Sequence, residues 1–268
     1  MKTADMLKLC KINKDMLKRI QTSAQELVDT EEFVADVVRG VHRNAIVYGP
    51  PGLGKTHIVE SALKAQGKQV GVDYLVARSH ITPRSLYAML YCMRNKDQYV
   101  VIDDCDGVLS SEDGLNILKA ATDPTFRNVG WSTTAASVKL PNGDLVPDEF
   151  EFNGTLIICT NVRQAMRGKV GQHFTALKSR CPGWSLNFAT VHDQFAYIVH
   201  LIVDRKYLDS ANETKLTDKQ KIDLISFMYS NLDVVQRLDL RKPQHIAKVI
   251  KHKPNWHNHA LKFLTEVM

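Results

Sequence analysis

No apolar run in these 268 residues approaches the roughly 20 that a membrane-spanning helix needs, so no membrane association is expected. The N-terminal stretch MKTADMLKLCKINKDML sets Asp5 and Asp15 among its lysines and lacks an apolar core, so no secretory leader is expected in it. Cysteine is sparse and scattered: Cys10, Cys92, Cys105, Cys159 and Cys181 form no C-x-x-C pair. Such a pattern suits reduced thiols in a cytoplasm, and three of the five lie in or beside apolar segments. No internal repeat or low-complexity tract breaks the chain. His252, His257 and His259 near the C-terminus lack an accompanying Cys or carboxylate cluster, so a solvated tail is expected there in place of a metal site. Acidic residues do not dominate either. Lys and Arg exceed Asp and Glu to leave a formal charge of +6. That balance leans weakly towards a polyanionic partner.

Against these absences stands one dense stretch. Gly49 to Thr56 read GPPGLGKT and match the phosphate-loop pattern G-x-x-x-x-G-K-[ST]. Gly49, Gly52 and Gly54 allow a tight turn whose N–H groups approach an anion without Cβ clashes. Pro50, Pro51 and Leu53 fill the remaining loop positions. Lys55 is expected to reach the β- and γ-phosphates, and the Thr56 hydroxyl to ligate a magnesium ion. Context agrees: Asn44–Tyr48 is a short apolar strand before the loop, and His57–Ala65 is helical after it, with its N-terminus towards the phosphates. The chain is therefore expected to bind a nucleoside triphosphate with Mg²⁺.

Further apolar strands are expected at Asp73–Ala77, Tyr99–Ile102 and Thr155–Cys159. Between them, Thr82-Pro83 starts a helix running to about Arg94, and Ser110 and Ser111 cap another carrying Leu115, Ile117 and Leu118. Alternating strands and helices predict an α/β P-loop NTPase core, a parallel sheet with helices on both faces. Asn142-Gly143, flanked by Val138, Leu140, Leu145 and Val146, predicts an inserted β-hairpin near 129–152. In it Lys139 could meet phosphates and Trp131 could stack on a base, or the ribbon could simply pack with Trp131 in a core. Helices are expected at His192–Tyr207, Asp218–Ser230 and Pro243–Ile250. The division expected is a helical N-terminal extension over 1–28, the core over 29–188 and an α-helical lid over 189–268.

Tyr99–Ile102 runs into Asp103-Asp104, a Walker B pattern. Asp103 would hold the magnesium ion opposite Thr56, and Asp104 would polarise the attacking water. With that string in place the chain resembles the AAA+ ATPases. GPPGLGKT resembles their GPPGxGKT, VVIDD their hhhhDE, LIICTN their sensor-1 strand, and LDLRKPQHIAKVI their sensor-2 helix. ALKSRC resembles the Ser-Arg-Cys motif of clamp-loader subunits. S-x-I-T-P-x-x-L-Y, DDCD, the hairpin and F-x-F-N-G also resemble uncharacterised AAA+ proteins of large bacteriophages.

The resemblance implies ATP hydrolysis at subunit interfaces of a homo-oligomeric ring, by family habit a hexamer, in the cytoplasm of a host cell if phage-encoded. Asn161 would orient the lytic water with Asp104. Arg180 would be the arginine finger reaching a neighbouring subunit, with Arg163 and Arg167 as rivals. Arg241 would reach the γ-phosphate from the lid, with Arg237 one turn away as its rival. One departure matters: Asp104 stands where the family usually has Glu. Positioning errors near 1 Å can cost about 10²-fold, so slow intrinsic hydrolysis is expected. The work done with ATP is expected on DNA, in replication or recombination. Remodelling of a protein partner and an ATP-dependent assembly switch are the alternatives.

Overall fold

The computed structural model describes residues 3–131, 137–140, 142–161 and 168–266. In chain order, α1 (Thr3–Leu9) and α2 (Lys14–Val38) precede β1 (Asn44–Tyr48), followed by α3 (Lys55–Ala65), β2 (Tyr74–Arg78), α4 (Pro83–Cys92) and β3 (Tyr99–Asp103). Next come α5 (Asp106–Leu109), α6 (Glu112–Ala121), β4 (Asn128–Gly130), β5 (Glu149–Glu151), β6 (Thr155–Thr160), α7 (Gly168–Arg180) and β7 (Gly183–Ser185). The remainder is helical: α8 (Val191–Val203), α9 (Asp218–Ser230), α10 (Arg241–His252) and α11 (His257–Thr265). The chain forms two compact units. One comprises Thr30–Gly49 and Lys55–Leu186; the other comprises Met1–Asp29, Pro50–Gly54 and Asn187–Met268.

The first unit is the α/β fold that the alternating pattern predicts. Its five-stranded sheet has the order β2-β3-β6-β1-β7, with every pairing parallel. Side chains alternate across a strand, so Ile46, Val100, Ile102, Leu156 and Ile158 lie on one face, packed with Leu86 and Leu90 of α4, Leu118 of α6 and Phe174 of α7. Val47, Val101, Ile157 and Cys159, one residue out of phase, are just as fully buried, as are Val37 of α2 and Val59 and Leu63 of α3. Tyr99 Oη donates to the carbonyl of Val38 at 2.7 Å, tying the end of α2 to β3. A sheet buried on both faces explains why these strands read as continuous apolar runs. The Thr82 side chain caps α4 by accepting from Ser85 N–H, with Pro83 opening the helix, and Ser111 caps α6 from Gly114 N–H.

The inserted hairpin is present and packs on this core. β4 and β5 pair antiparallel, Lys139 bridges Leu145 nearer the tip, and Gly143 turns with φ +91°. Val138, Val146 and Phe150 are buried. Trp131 is half-buried with its ring 6.0 Å from that of Tyr87, and Arg84 donates to the carbonyl of Ser137. The ribbon is thus a packing element at Trp131, while Lys139 is exposed.

Several elements differ from expectation. α5 begins at Asp106, and its four residues are too few to show a helical period in the sequence. α7 and β7 were not expected, because α7 carries Gly168 and Gly171 and β7 is only three residues long. The helix expected over His192–Tyr207 ends at Val203, where Lys206 turns left-handed with φ +52°.

In the second unit, Met6, Leu7, Ile12, Met16 and Ile20 of the N-terminal segment share one hydrophobic cluster with residues of α8 to α11, among them Phe195, Leu224, Ile246 and Leu264. The N-terminal segment therefore has the C-terminal helices as its core partners. Capping boxes start α8 (Thr190 with Asp193) and α9 (Thr217 with Gln220). No helix among the described residues is long and apolar enough to cross a membrane.

Candidate nucleotide site

β1, β3 and β6 are adjacent in the sheet, so their carboxyl ends bring together segments far apart in sequence. Parallel sheets bind ligands outside such ends. β1 leads to Gly49, whose N–H donates to the carbonyl of Thr160 at 3.3 Å. Gly52 and Gly54 are left-handed at φ +76° and +85°, a conformation that favours glycine. The chain re-enters the α/β unit at Lys55, the first residue of α3.

Lys55 is buried, and its Nζ donates to Asn161 Oδ1 at 2.7 Å and to the carbonyl of Gly49 at 3.1 Å. Asn161 is the residue immediately after β6. The Thr56 hydroxyl donates to Asp103 Oδ1 at the end of β3. Lys55, Thr56, Asp103 and Asn161, expected as one site, are joined in these two pairs by direct hydrogen bonds. Burial pushes the Asp103 carboxyl above its ordinary value; the Thr56 hydrogen bond opposes this, the neighbouring Asp104 charge adds to it, and Lys55 and Arg78 oppose it. Thr56 and Asp103 are hard oxygen donors, a chemistry that fits a magnesium ion. Among the described residues no group of three or more His, Cys, Asp or Glu could hold a metal by itself.

Asp104 is exposed and left-handed at φ +49°, and its N–H donates to the carbonyl of Cys159 at 3.1 Å, extending the β3–β6 pairing by one residue. Burial raises the thiol pKa values of Cys105 and Cys159 beside it, which keeps both protonated and supports packing roles. Arg78, at the end of β2, forms an ion pair with Glu60 of α3. The sequence reading missed that pair, since nothing local couples a strand end to a helix face.

The arginines lie elsewhere. Arg180 ends α7, where Nη1 donates to the carbonyl of Ala176 at 2.8 Å and Nε lies 3.8 Å from Asp123 Oδ2. Asp123 is held below its ordinary value, first by the N–H groups of Phe126 and Thr125 and further by Arg180. Arg163 and Arg167 fall outside the described residues. In the helical unit, Arg241 opens α10 with an exposed side chain, and its N–H donates to Asp239 Oδ1 at 2.9 Å. Pro50, Pro51, Gly52, Leu53 and Gly54, the middle of the phosphate loop, also belong to this unit. There a Cβ on Gly52 would fall 2.8 Å from Asp239 Cβ, a second reason for glycine at that position.

No protein-family model matches the chain. It is 29% identical over 237 residues to an uncharacterised 36.7 kDa protein of Enterobacteria phage T4, from the nrdC-mobD intergenic region, covering 86% of this chain and 71% of that protein. Among solved structures it is similar to that of C. elegans PCH-2, with a TM-score of 0.37 and 12% identity over 93% of this chain; the match spans 66% of the other chain, just under two thirds of its length.

Proposed function

We propose that this chain is a magnesium-dependent ATPase of the AAA+ type, phage-encoded and acting in the cytoplasm of the host. The observation that carries the reading is the pair of hydrogen bonds Lys55–Asn161 and Thr56–Asp103, which gather at adjacent strand ends the four side chains the motifs name. In the proposed reaction, water attacks the γ-phosphorus in line and ADP leaves. Asp104 accepts a hydrogen bond from that water, and Asn161 fixes its direction. Lys55 balances charge developing on the phosphoryl oxygens. Thr56 and Asp103 would hold Mg²⁺, which would supply positive charge to offset that of the phosphates. Arg180 completes the neighbouring subunit's site in a ring, and Arg241 reaches the γ-phosphate of its own. The formal charge of +6 and the Ser-Arg-Cys string favour work on DNA. ATP turnover measured with and without single- and double-stranded DNA, alongside mass by light scattering with ATP, tests the proposal. Stimulation by DNA that weakens steeply with salt is expected; turnover at solution background with or without DNA counts against it.

One observation favours a second reading. Asp104 is one methylene shorter than the glutamate the family usually carries, so ATP could act chiefly as an assembly switch. Single-turnover hydrolysis near background, with ATP still driving oligomerisation, would select that reading.

A further inference from the structure

A loop that turns its N–H groups inward on an anion must turn carbonyls outward, and each of those oxygens needs a donor. Three consecutive carbonyls of the phosphate loop find theirs in the helical unit. Arg237 Nη2 donates to Pro51 O at 2.6 Å, the Leu240 N–H donates to Gly52 O at 3.0 Å, and Tyr197 Oη donates to Leu53 O at 3.1 Å. The donors are themselves held. Tyr197 is buried in α8 with its ring stacked on Phe188 at a centroid distance of 4.3 Å. Leu240 is followed by α10, whose first turn is fixed by Asp239 Oδ1 accepting from the N–H groups of Arg241 and Lys242. Asp239 is buried against Gly52. Gly54 likewise fits closely, since a Cβ there would lie 3.3 Å from Leu240 Cδ1.

We infer that Arg237 and Tyr197 are positioning residues for phosphate binding: they hold the loop's carbonyls outward so that its N–H groups converge on the nucleotide. The inference rests on the nucleotide-binding reading above. It also separates the two lid arginines. Arg237 is committed to the loop through a charge-assisted bond to Pro51, whereas Arg241 keeps an exposed side chain.

Two measurements test this. Calorimetric titration with ATP and Mg²⁺ compares wild type with Arg237→Met, Arg237→Lys, Tyr197→Phe and Lys55→Ala. Loss of one such hydrogen bond should weaken ATP binding about tenfold in Arg237→Met and several-fold in Tyr197→Phe. Arg237→Lys, which keeps a cationic donor, should recover most of the loss. Amide hydrogen exchange on the protein without nucleotide should speed up at residues 52–56 in Arg237→Met and Tyr197→Phe, with the cores of α8 and α9 unchanged. Wild-type affinity and wild-type loop exchange in both variants would overturn the inference while leaving the nucleotide reading intact. If wild type and Lys55→Ala both fail to bind ATP, the nucleotide reading falls. The phosphate-positioning role falls with it.

Discussion

At the scale of single residues, Asp104 joins backbone conformation to chemistry. Its φ of +49° puts it in the left-handed region, which Asp tolerates far better than most residues because its short polar side chain bonds locally. Glutamate lacks that advantage, so the backbone supplies a physical reason for the shorter acid. Asp104→Glu is expected to lower stability by about 1 kcal/mol in urea unfolding while Asp104→Gly does not. The same Asp104→Glu change should raise ATP turnover by restoring reach, and unchanged phosphate release would refute the link between side-chain length and rate. Lys55→Ala should abolish detectable ATP binding by calorimetry; near-normal affinity would overturn the phosphate-loop reading. These residues were legible because GPPGLGKT and VVIDD are contiguous strings whose glycines, lysine and acids state their chemistry locally. Arg237 was only a rival to Arg241 and Tyr197 was not singled out, because their acceptors lie 186 and 144 residues away.

At the scale of elements, the start of α8 shows how local signals and tertiary contacts combine. Thr190 and Asp193 form a capping box, and Arg19 of α2 donates to Asp193 at 2.7 Å. Burial alone would raise the Asp193 carboxyl, yet the Thr190 hydroxyl and N–H and the Arg19 guanidinium outweigh it and hold the group below its ordinary value. A depressed folded-state value means the contribution is present above the unfolded pKa and lost as pH falls through the folded one. Asp193→Ala should therefore cost about 1 kcal/mol at pH 7, a difference that shrinks as pH drops below about 4. A cost independent of pH in urea titrations would show that packing, not charge, supports the cap. α4, α6, α8 and α9 carry Ser or Thr caps that can be read directly, whereas α7 begins at Gly168 and α5 is a single turn. The hairpin was legible from Asn142-Gly143, but the environment of Trp131 depended on Tyr87, which lies on another element.

At the scale of the whole molecule, the proposed ring turns on Arg180. Within its own chain this residue is occupied by Ala176 and Asp123. A finger serving a neighbour would have to exchange these partners for phosphoryl oxygens. Arg180→Ala should retain ATP affinity and lose turnover by about 10³-fold or more. Mixed with Lys55→Ala protein, it should regain part of the activity, because intact sites form wherever one subunit brings Lys55 and its neighbour brings Arg180. No rescue at any mixing ratio would count against a finger acting between subunits.

By itself the sequence determined what neighbouring residues can settle: apolar strands of about five residues, side-chain caps, the left-handed glycines of the phosphate loop, and two acids at a strand end. Tertiary structure alone decided the pairing of Lys55 with Asn161, the addition of β7 to the sheet edge, the core shared by the N- and C-terminal helices, and the donors to the carbonyls of Pro51, Gly52 and Leu53. The physical reason is common to all four. Backbone conformation and capping are fixed within a few residues, whereas a buried hydrogen bond or packed side chain takes its partner from whichever segment the sheet order and the hydrophobic clusters bring alongside.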